Sequence, residues 1–332
     1  RGTLTEKYIL IPTQKGILKI NYNGKLAEHI LLNDGVCGNI LSVNNAFVTV
    51  TENSIFVFNS KDTMKFYLEL LKKYPENLMI ANYAGQLAYQ NGDFEKSLEI
   101  FNSILKQEKN LSPDKYYIIS EAKKNIMNIY LELIEIEKIK NNYEKAIELM
   151  LKAKNYAMSK DSYVDVCFNL SLLYKNKELY EDSISELQAV IKLFADEIKS
   201  FDDLKNDKTN SFYKAFNDID EIVKKYGEKY YKKYETMAIS LADKEENNED
   251  SLIKVFTYYP NSVLARKVLE KLFIIYNNSK NYDDAISVLE TYFLYYPDSK
   301  DIPLKMMELA GCYKKSGKIS KSYAILKKIL IK

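Results

Sequence analysis

The sequence predicts a mostly α protein, a solenoid of helical hairpins preceded by a small N-terminal antiparallel β segment. Three observations predict it. Only 10 Gly and 6 Pro occur in 332 residues, too few breakers for an all-β or αβ-barrel enzyme. The hydrophobic pattern changes from period 2 to period 3.6 at about Asp62. Beyond that point one short signature recurs five times. The chain therefore divides into a β segment, residues 1–60, and a helical repeat domain, residues 61–332, irregular at 110–140 and 196–250.

Residues 1–60 hold 5 of the 10 glycines: Gly2, Gly16, Gly24, Gly35 and Gly38. Short β-type runs alternate with turn residues: Tyr8 to Ile11, Ile17 to Ile20, Leu26 to Leu32, Ile40 to Val43, Ala46 to Thr51 and Ser54 to Phe58. Asn44-Asn45 and Glu52-Asn53 are turn candidates, and links this short require antiparallel pairing. The run Tyr8-Ile9-Leu10-Ile11-Pro12-Thr13-x-x-Gly16-Ile17-Leu18-x-Ile20-Asn21-x-x-Gly24-Lys25-Leu26 resembles blades of a quinoprotein-type (PQQ-like) β-propeller. The resemblance implies the C-terminal strands of such a domain, a partial β-propeller. Six strands cannot close one alone, so the sheet is expected to lean on the first helices near Phe66, Leu70 and Tyr74, or to complete a propeller outside this chain. No quinone site is visible in these residues. The first residue is Arg1, which reads either as the end left by a removed leader or as a boundary within a longer chain.

The helical signature is a polar turn, an aromatic or apolar residue, two mostly charged residues and a small residue. The small residues are Ser97, Ala146, Ser183, Ala285 and Ser322, spaced by 49, 37, 102 and 37. Three before each stand Phe94, Tyr143, Tyr180, Tyr282 and Ile319. Fixed offsets supply the expected core: Ala84, Gly85, Ala88, Phe101 and Ile104 in the first copy; Leu170, Tyr174, Leu187 and Val190 in the third; Leu272, Tyr276, Leu289 and Tyr292 in the fourth; Leu309, Tyr313, Leu326 and Ile329 in the fifth. Phe256 to Ser262 recurs as Phe293 to Ser299, with Pro260 and Pro297 stopping one helix and the residues after them placed to cap the next.

This pattern resembles the tetratricopeptide repeat (TPR), a helix–turn–helix unit of 34 residues. The resemblance implies helix pairs stacked into a TPR-like α-solenoid, with the small residue letting two helices approach and a concave groove on the inner helices. Repeat two carries a long first helix, Tyr116 to Lys140. Between Ser183 and Ala285 there is room for two degenerate repeats. There Phe212 to Lys244 reads as one helix, with Tyr226, Tyr230, Tyr231 and Tyr234 on one face, for core packing, groove lining or partner contact.

Chemistry is poorly supplied. The net charge is +2, from 48 Lys+Arg against 46 Asp+Glu, which argues against a general nucleic-acid binder. His29 is the single histidine and reads as a surface or sheet-edge residue. Cys37, Cys167 and Cys312 lack metal or disulfide spacing and read as buried thiols. Glu132, Glu135 and Glu137 read as a solvated helix face, and no glycine-rich phosphate loop is found. No 18-residue apolar run exists, so no membrane span is expected. No catalytic, metal or cofactor site is assigned.

The expected function is a non-enzymatic scaffold that recruits or assembles partner proteins through the concave groove. By the resemblance, the groove is lined by Asn82, Gln86 and Tyr89, by Asp165, Phe168, Leu172 and Lys175, and by Lys267, Glu270 and Asn277. Met79 and Ile274 lie on the same faces. Tyr89 and Phe168 are the expected anchors, and Tyr226, Tyr230 and Tyr234 form a secondary aromatic face. Asn82, Gln86, Asp165 and Asn169 do not supply the basic pair of a carboxylate-clamping groove. The combination of repeats with a propeller resembles bacterial envelope or internal-compartment proteins, including the TPR-containing assembly subunit of a nitrite oxidoreductase complex. The resemblance implies other proteins as partners, among them subunits of a redox or envelope complex, or further copies of this chain, in a periplasm-like or internal membrane-bound compartment. One alternative is the interaction tail of a larger enzyme. A second is a helical-repeat RNA binder using Lys224, Lys225, Lys229, Lys232 and Lys233, a basic face diluted by Glu221, Glu228 and Glu235.

Overall fold

The computed structural model describes the chain apart from residues 1, 5–7, 14–15, 32–37, 44–45, 51–54, 60, 109–111, 206–209, 245–247 and 332. The turn candidates at 44–45 and 52–53, and Cys37, lie outside the described residues. Two compact units form, residues 1–129 and 130–332.

The first unit opens with seven described strands: β1 (Thr3–Leu4), β2 (Tyr8–Thr13), β3 (Gly16–Asn21), β4 (Leu26–Leu31), β5 (Ile40–Val43), β6 (Ala46–Val50) and β7 (Ile55–Asn59). They pair antiparallel in two meanders, β1-β2-β3-β4 and β5-β6-β7. The expected count of six missed β1, whose two residues are too short to show a period. The β3–β4 turn is closed by Gly24 at φ +80°, whose N–H donates to the Asn21 carbonyl at 2.8 Å. Leu10, Ile17, Ile40 and Thr49 are buried, while Leu4, Leu26, Leu41 and Ile55 stand exposed on the sheets.

Helices begin at Lys61. The unit continues with α1 (Lys61–Lys73), α2 (Leu78–Gln90), α3 (Phe94–Leu105) and the first half of α4 (Tyr116–Ile139), the long helix expected for repeat two. Of the residues expected to meet the sheet if it leans on the first helices, Phe66 and Tyr74 are exposed and Leu70 is half-buried. Gly85 of α2 is a packing requirement, because a Cβ there would come within 2.8 Å of the fully buried Phe101 ring on α3.

The second unit holds the end of α4, then α5 (Tyr143–Lys154), α6 (Lys160–Asn176), α7 (Tyr180–Ala195), α8 (Asn210–Tyr226), α9 (Lys232–Lys244), α10 (Glu249–Tyr258), α11 (Val263–Asn278), α12 (Tyr282–Tyr295), α13 (Ile302–Lys315) and α14 (Ile319–Ile331). α1 packs on α2 and α2 on α3; α5, α6 and α7 each pack on the next helix, as do α10 to α13, as stacked hairpins require.

Five hairpin turns share one construction. The residue five before each small residue takes positive φ: Gly92, Asn141, Glu178, Lys280 and Gly317. The next N–H donates back to the carbonyl five residues earlier, as from Asp93 to Ala88, Asn142 to Glu137, Leu179 to Tyr174, Asn281 to Tyr276 and Lys318 to Tyr313. This is the Schellman closure, which satisfies helix-end carbonyls and reverses the chain. The five small residues are all buried as expected. Three are serines, and each hydroxyl donates to the carbonyl twelve residues earlier on the partner helix: Ser97 to Gly85 (2.8 Å), Ser183 to Ser171 (3.0 Å) and Ser322 to Ala310 (2.8 Å). The accepting residue is small in each serine hairpin. In the two alanine hairpins the same position holds Ile134 or Phe273. A hydroxyl reaches the facing backbone only where no large side chain holds the helices apart, so the two positions vary together.

Three expectations are corrected here. Phe212 to Lys244 is not one helix: Gly227, at φ +114°, ends α8 and a short 3-10 turn, Glu228–Tyr231, leads into α9. Ser262 does cap α11, accepting from Ala265 N–H at 3.0 Å, but its counterpart Ser299 caps no helix. Ser299 instead pairs with the Tyr292 hydroxyl at 3.0 Å, and α13 starts later with Pro303 in its first turn. Leu326, expected in the core, is 43% exposed on α14.

The irregular stretch is held by rings. Tyr295 lies against Phe212, Tyr213, Phe216 and Phe256 at centroid distances of 4.8 to 6.2 Å, all four edge to face. Beside it the buried Gln188 donates to the Tyr258 carbonyl (2.6 Å) and accepts from the Tyr231 hydroxyl (2.9 Å).

Candidate functional site

In the first unit, α2 and α4 lie side by side along the face expected to line a groove. Met79, Asn82, Tyr83 and Gln86 share one side of α2 by their spacing of three and four. Asn82 donates through Nδ2 to Glu121 Oε2 at 2.8 Å, and Gln86 through Nε2 to Oε1 at 2.7 Å. One turn earlier on α4, the Tyr117 hydroxyl donates to Met79 Sδ at 3.0 Å. The Tyr67 ring of α1 stacks on Tyr83 at 5.6 Å. The result is a polar floor of Asn82, Gln86 and Glu121 flanked by exposed Met79, Tyr83 and Tyr117. Asn82 is 6% exposed and its Oδ1 has no hydrogen-bond partner. Of the expected groove residues, Asn82 and Gln86 are brought together here. Tyr89 is half-buried against Phe94 across the hairpin turn, at 6.0 Å. Glu121, Tyr83 and Tyr117 were not foreseen. The irregular second repeat hid the register of α4, although Tyr117 and Glu121 do stand four apart in the sequence.

In the second unit, the expected face of α6 lies beside α8. Phe168 carries the Lys214 ammonium 3.9 Å above its ring, and Lys175 pairs with Glu221 at 2.8 Å. Burial raises the Asp218 carboxyl above its ordinary value, opposed by Lys214 nearby. Asp165 and Leu172 remain exposed. On α11, Lys267 and Ile274 are exposed, Glu270 is half-buried, and Asn277 accepts from Lys315 at 3.3 Å.

The tyrosines expected on one helix face are split by the break at Gly227. Tyr226 and Tyr230 pack on Tyr180, at 3.9 Å and 5.2 Å, while Tyr234 is buried beside Tyr231. The same break opens a cleft of about 740 Å³ whose lining includes Lys224, Lys229, Lys232, Arg266, Asp220 and Glu235. Within it Lys224 pairs with Asp220 and Asp298, and Glu235 accepts from the Val263 and Leu264 N–H groups that open α11.

The remaining sequence candidates are separate. His29 lies on β4. Cys167 and Cys312 are buried, and burial pushes the Cys167 thiol up to about 11, with Lys154 pulling the other way. Glu132, Glu135 and Glu137 lie on α4, where Glu135 and Glu137 pair with Lys138 and Lys140. Among the described residues no helix is long and apolar enough to cross a membrane, and no cluster of His, Cys, Asp and Glu could hold a metal ion.

No protein-family model and no curated protein matches the chain. Solved structures do. BtubC (BKLC) from P. vanneervenii aligns over 71% of this chain and 89% of its own at 14% identity, with a TM-score of 0.26. A variant of a Podosopora anserina protein described as 'putative kinesin light chain nearly identical TPR-like repeats' aligns over 78% and 95% at 12% identity, TM-score 0.22. YrrB, described as a TPR protein with an unusual peptide-binding site, aligns over 70% and 93% at 14% identity, TM-score 0.24. TM-scores this low carry no functional argument. The fold, a mostly α, TPR-like solenoid of hairpins with a small antiparallel β segment, is described by its own helices and turns.

Proposed function

We propose that the chain is a non-enzymatic scaffold that binds partner proteins through the inward faces of the first helices of its hairpins. The observation that carries this reading is the polar floor of Asn82, Gln86 and Glu121 held between α2 and α4. Exposed aromatic and Met side chains flank a line of amides and a carboxylate, a combination suited to holding an extended or helical peptide by ring contacts and side-chain hydrogen bonds. Rings supply large contact area at low entropic cost, so Tyr83 and Tyr117 are the anchors in this reading. We extend it to the exposed side chains of α6 and α11, Asp165, Leu172, Lys267 and Ile274, as secondary contacts. Residues 1–60 are the end of a β-propeller-like domain in this reading, and the two successive antiparallel meanders support its description as propeller blades. Assembly of a redox or envelope complex, in a bacterial setting, is the specific role we propose from the sequence resemblance.

The test is selection of a random twelve-residue phage-displayed library on the immobilised full chain. Peptides should enrich, and their binding should fall at least tenfold with Tyr83→Ala plus Tyr117→Ala, at unchanged helical circular dichroism. Enriched peptides indifferent to both changes, or no enrichment, would sink the groove assignment.

A further inference from the structure

We infer that the α2–α4 groove selects a positively charged side chain, a lysine or arginine presented by a peptide segment of the partner protein. This rests on the groove reading above and adds its polarity.

Glu121 carries the argument. No Lys or Arg ion-pairs with it among the described residues. The facing helix, α2, contains no charged residue from Leu78 to Gln90. On its own helix, the neighbouring Lys123 is held by Glu108 at 2.8 Å, and Lys124 is exposed and makes no ion pair among the described residues. Glu121 is instead gripped by two neutral amides, one on each oxygen. Those bonds orient the carboxylate without cancelling its charge. An ionised carboxylate offers about four acceptor positions, so roughly two remain for a ligand.

Two further features point the same way. Asn82 Oδ1, a second acceptor beside Glu121, is buried without a partner, so the floor lacks donors rather than acceptors. The exposed Tyr83 and Tyr117 rings stand on the two helices that hold this floor, and ring faces attract cations. An ammonium brings three N–H donors and a guanidinium five, with no acceptor of its own. A cationic side chain therefore answers the unpaired charge, the unpaired acceptor and the rings together. An acidic or C-terminal carboxylate ligand would meet Glu121 as a like charge.

The library selection provides the test. Enriched peptides should share one Lys or Arg position. A synthetic peptide of the consensus should bind the full chain at least tenfold more tightly than the same peptide with that residue changed to Gln. Glu121→Gln should remove this preference, so that the two changes together cost little more than either alone, a coupling that a structural role for Glu121 would not produce. Glu121→Asp keeps the charge and should retain part of the preference. If Glu121→Gln loses helical signal, the Lys-to-Gln peptide comparison on the unaltered chain still decides. An acidic or charge-indifferent consensus, or a basic preference untouched by Glu121→Gln, would overturn the inference while leaving the groove standing. No enrichment at all would remove both.

Discussion

The hairpin α6/α7 and the stretch from Asp196 to Tyr258 lie next to each other in sequence and are built by opposite means. In the hairpin, four residues within six consecutive positions do most of the work. Glu178 in the left-handed region reverses the chain, Leu179 closes the Schellman bond, Tyr180 covers the gap to the next helix, and Ser183 sews α7 to the Ser171 carbonyl. The instructions are local and recur in five hairpins, twice at a spacing of 37 residues. Among its described residues, the stretch that follows has no such turn. Gly227 breaks a helix that the hydrophobic period would have continued, and α8 is placed by rings from residues far apart in the chain: Phe212 and Phe216 against Tyr295, with Phe256 on the other side. Even the start of α11 is capped from a distance, by Glu235. Repetition here is replaced by a core of long-range contacts, and the cleft at Gly227 follows from that irregularity.

This contrast breaks most sharply at Tyr295. Tyr295→Ala should cost about 3–5 kcal/mol, because a large ring leaves a cavity among four others. Tyr295→Phe should cost nothing and gain about 1 kcal/mol, since the hydroxyl is buried without a partner. Urea unfolding of the full chain measures both, and a loss below about 1 kcal/mol for the alanine variant would show that the rings do not organise the stretch. Next in size is Ala285→Leu, which overpacks a regular hairpin whose two helices meet at a fully buried alanine. A loss of about 1–3 kcal/mol in the same assay is expected, and tolerance would mean that the hairpin is loose there. The smallest effect sharpens the local side of the comparison. Glu178→Gly relieves a left-handed non-glycine residue and should raise stability by about 0.5–1 kcal/mol, whereas Gly92→Ala should lower it by a similar amount.

Much of the fold was legible because the hairpin code is short. The buried small residues, the turns before them and the long α4 all follow from spacing. The antiparallel strands were legible from alternation and turn residues, though β1 was too brief to show. The candidate site was legible by half. Asn82 and Gln86 follow from the period of α2, but Glu121 lies 39 residues beyond Asn82 on a helix whose register the irregular repeat concealed. Tyr226, Tyr230 and Tyr234 show the reverse failure: their spacing was real, and a single glycine voided the inference.

By itself the sequence determined the elements whose causes are local. These are the strands, the hairpin turns at Gly92, Asn141, Glu178, Lys280 and Gly317, and the small residues that let helices close, all matters of backbone conformation and side-chain volume within about fifteen residues. Only the tertiary structure decided which side chains meet across hairpins: Glu121 with Asn82 and Gln86, Glu235 with α11, and Tyr295 with the rings around it. Those meetings depend on helix register and rotation relative to one another. Packing of the assembled helices sets both, because an amphipathic period specifies which face is buried but not which residue of another helix it will touch.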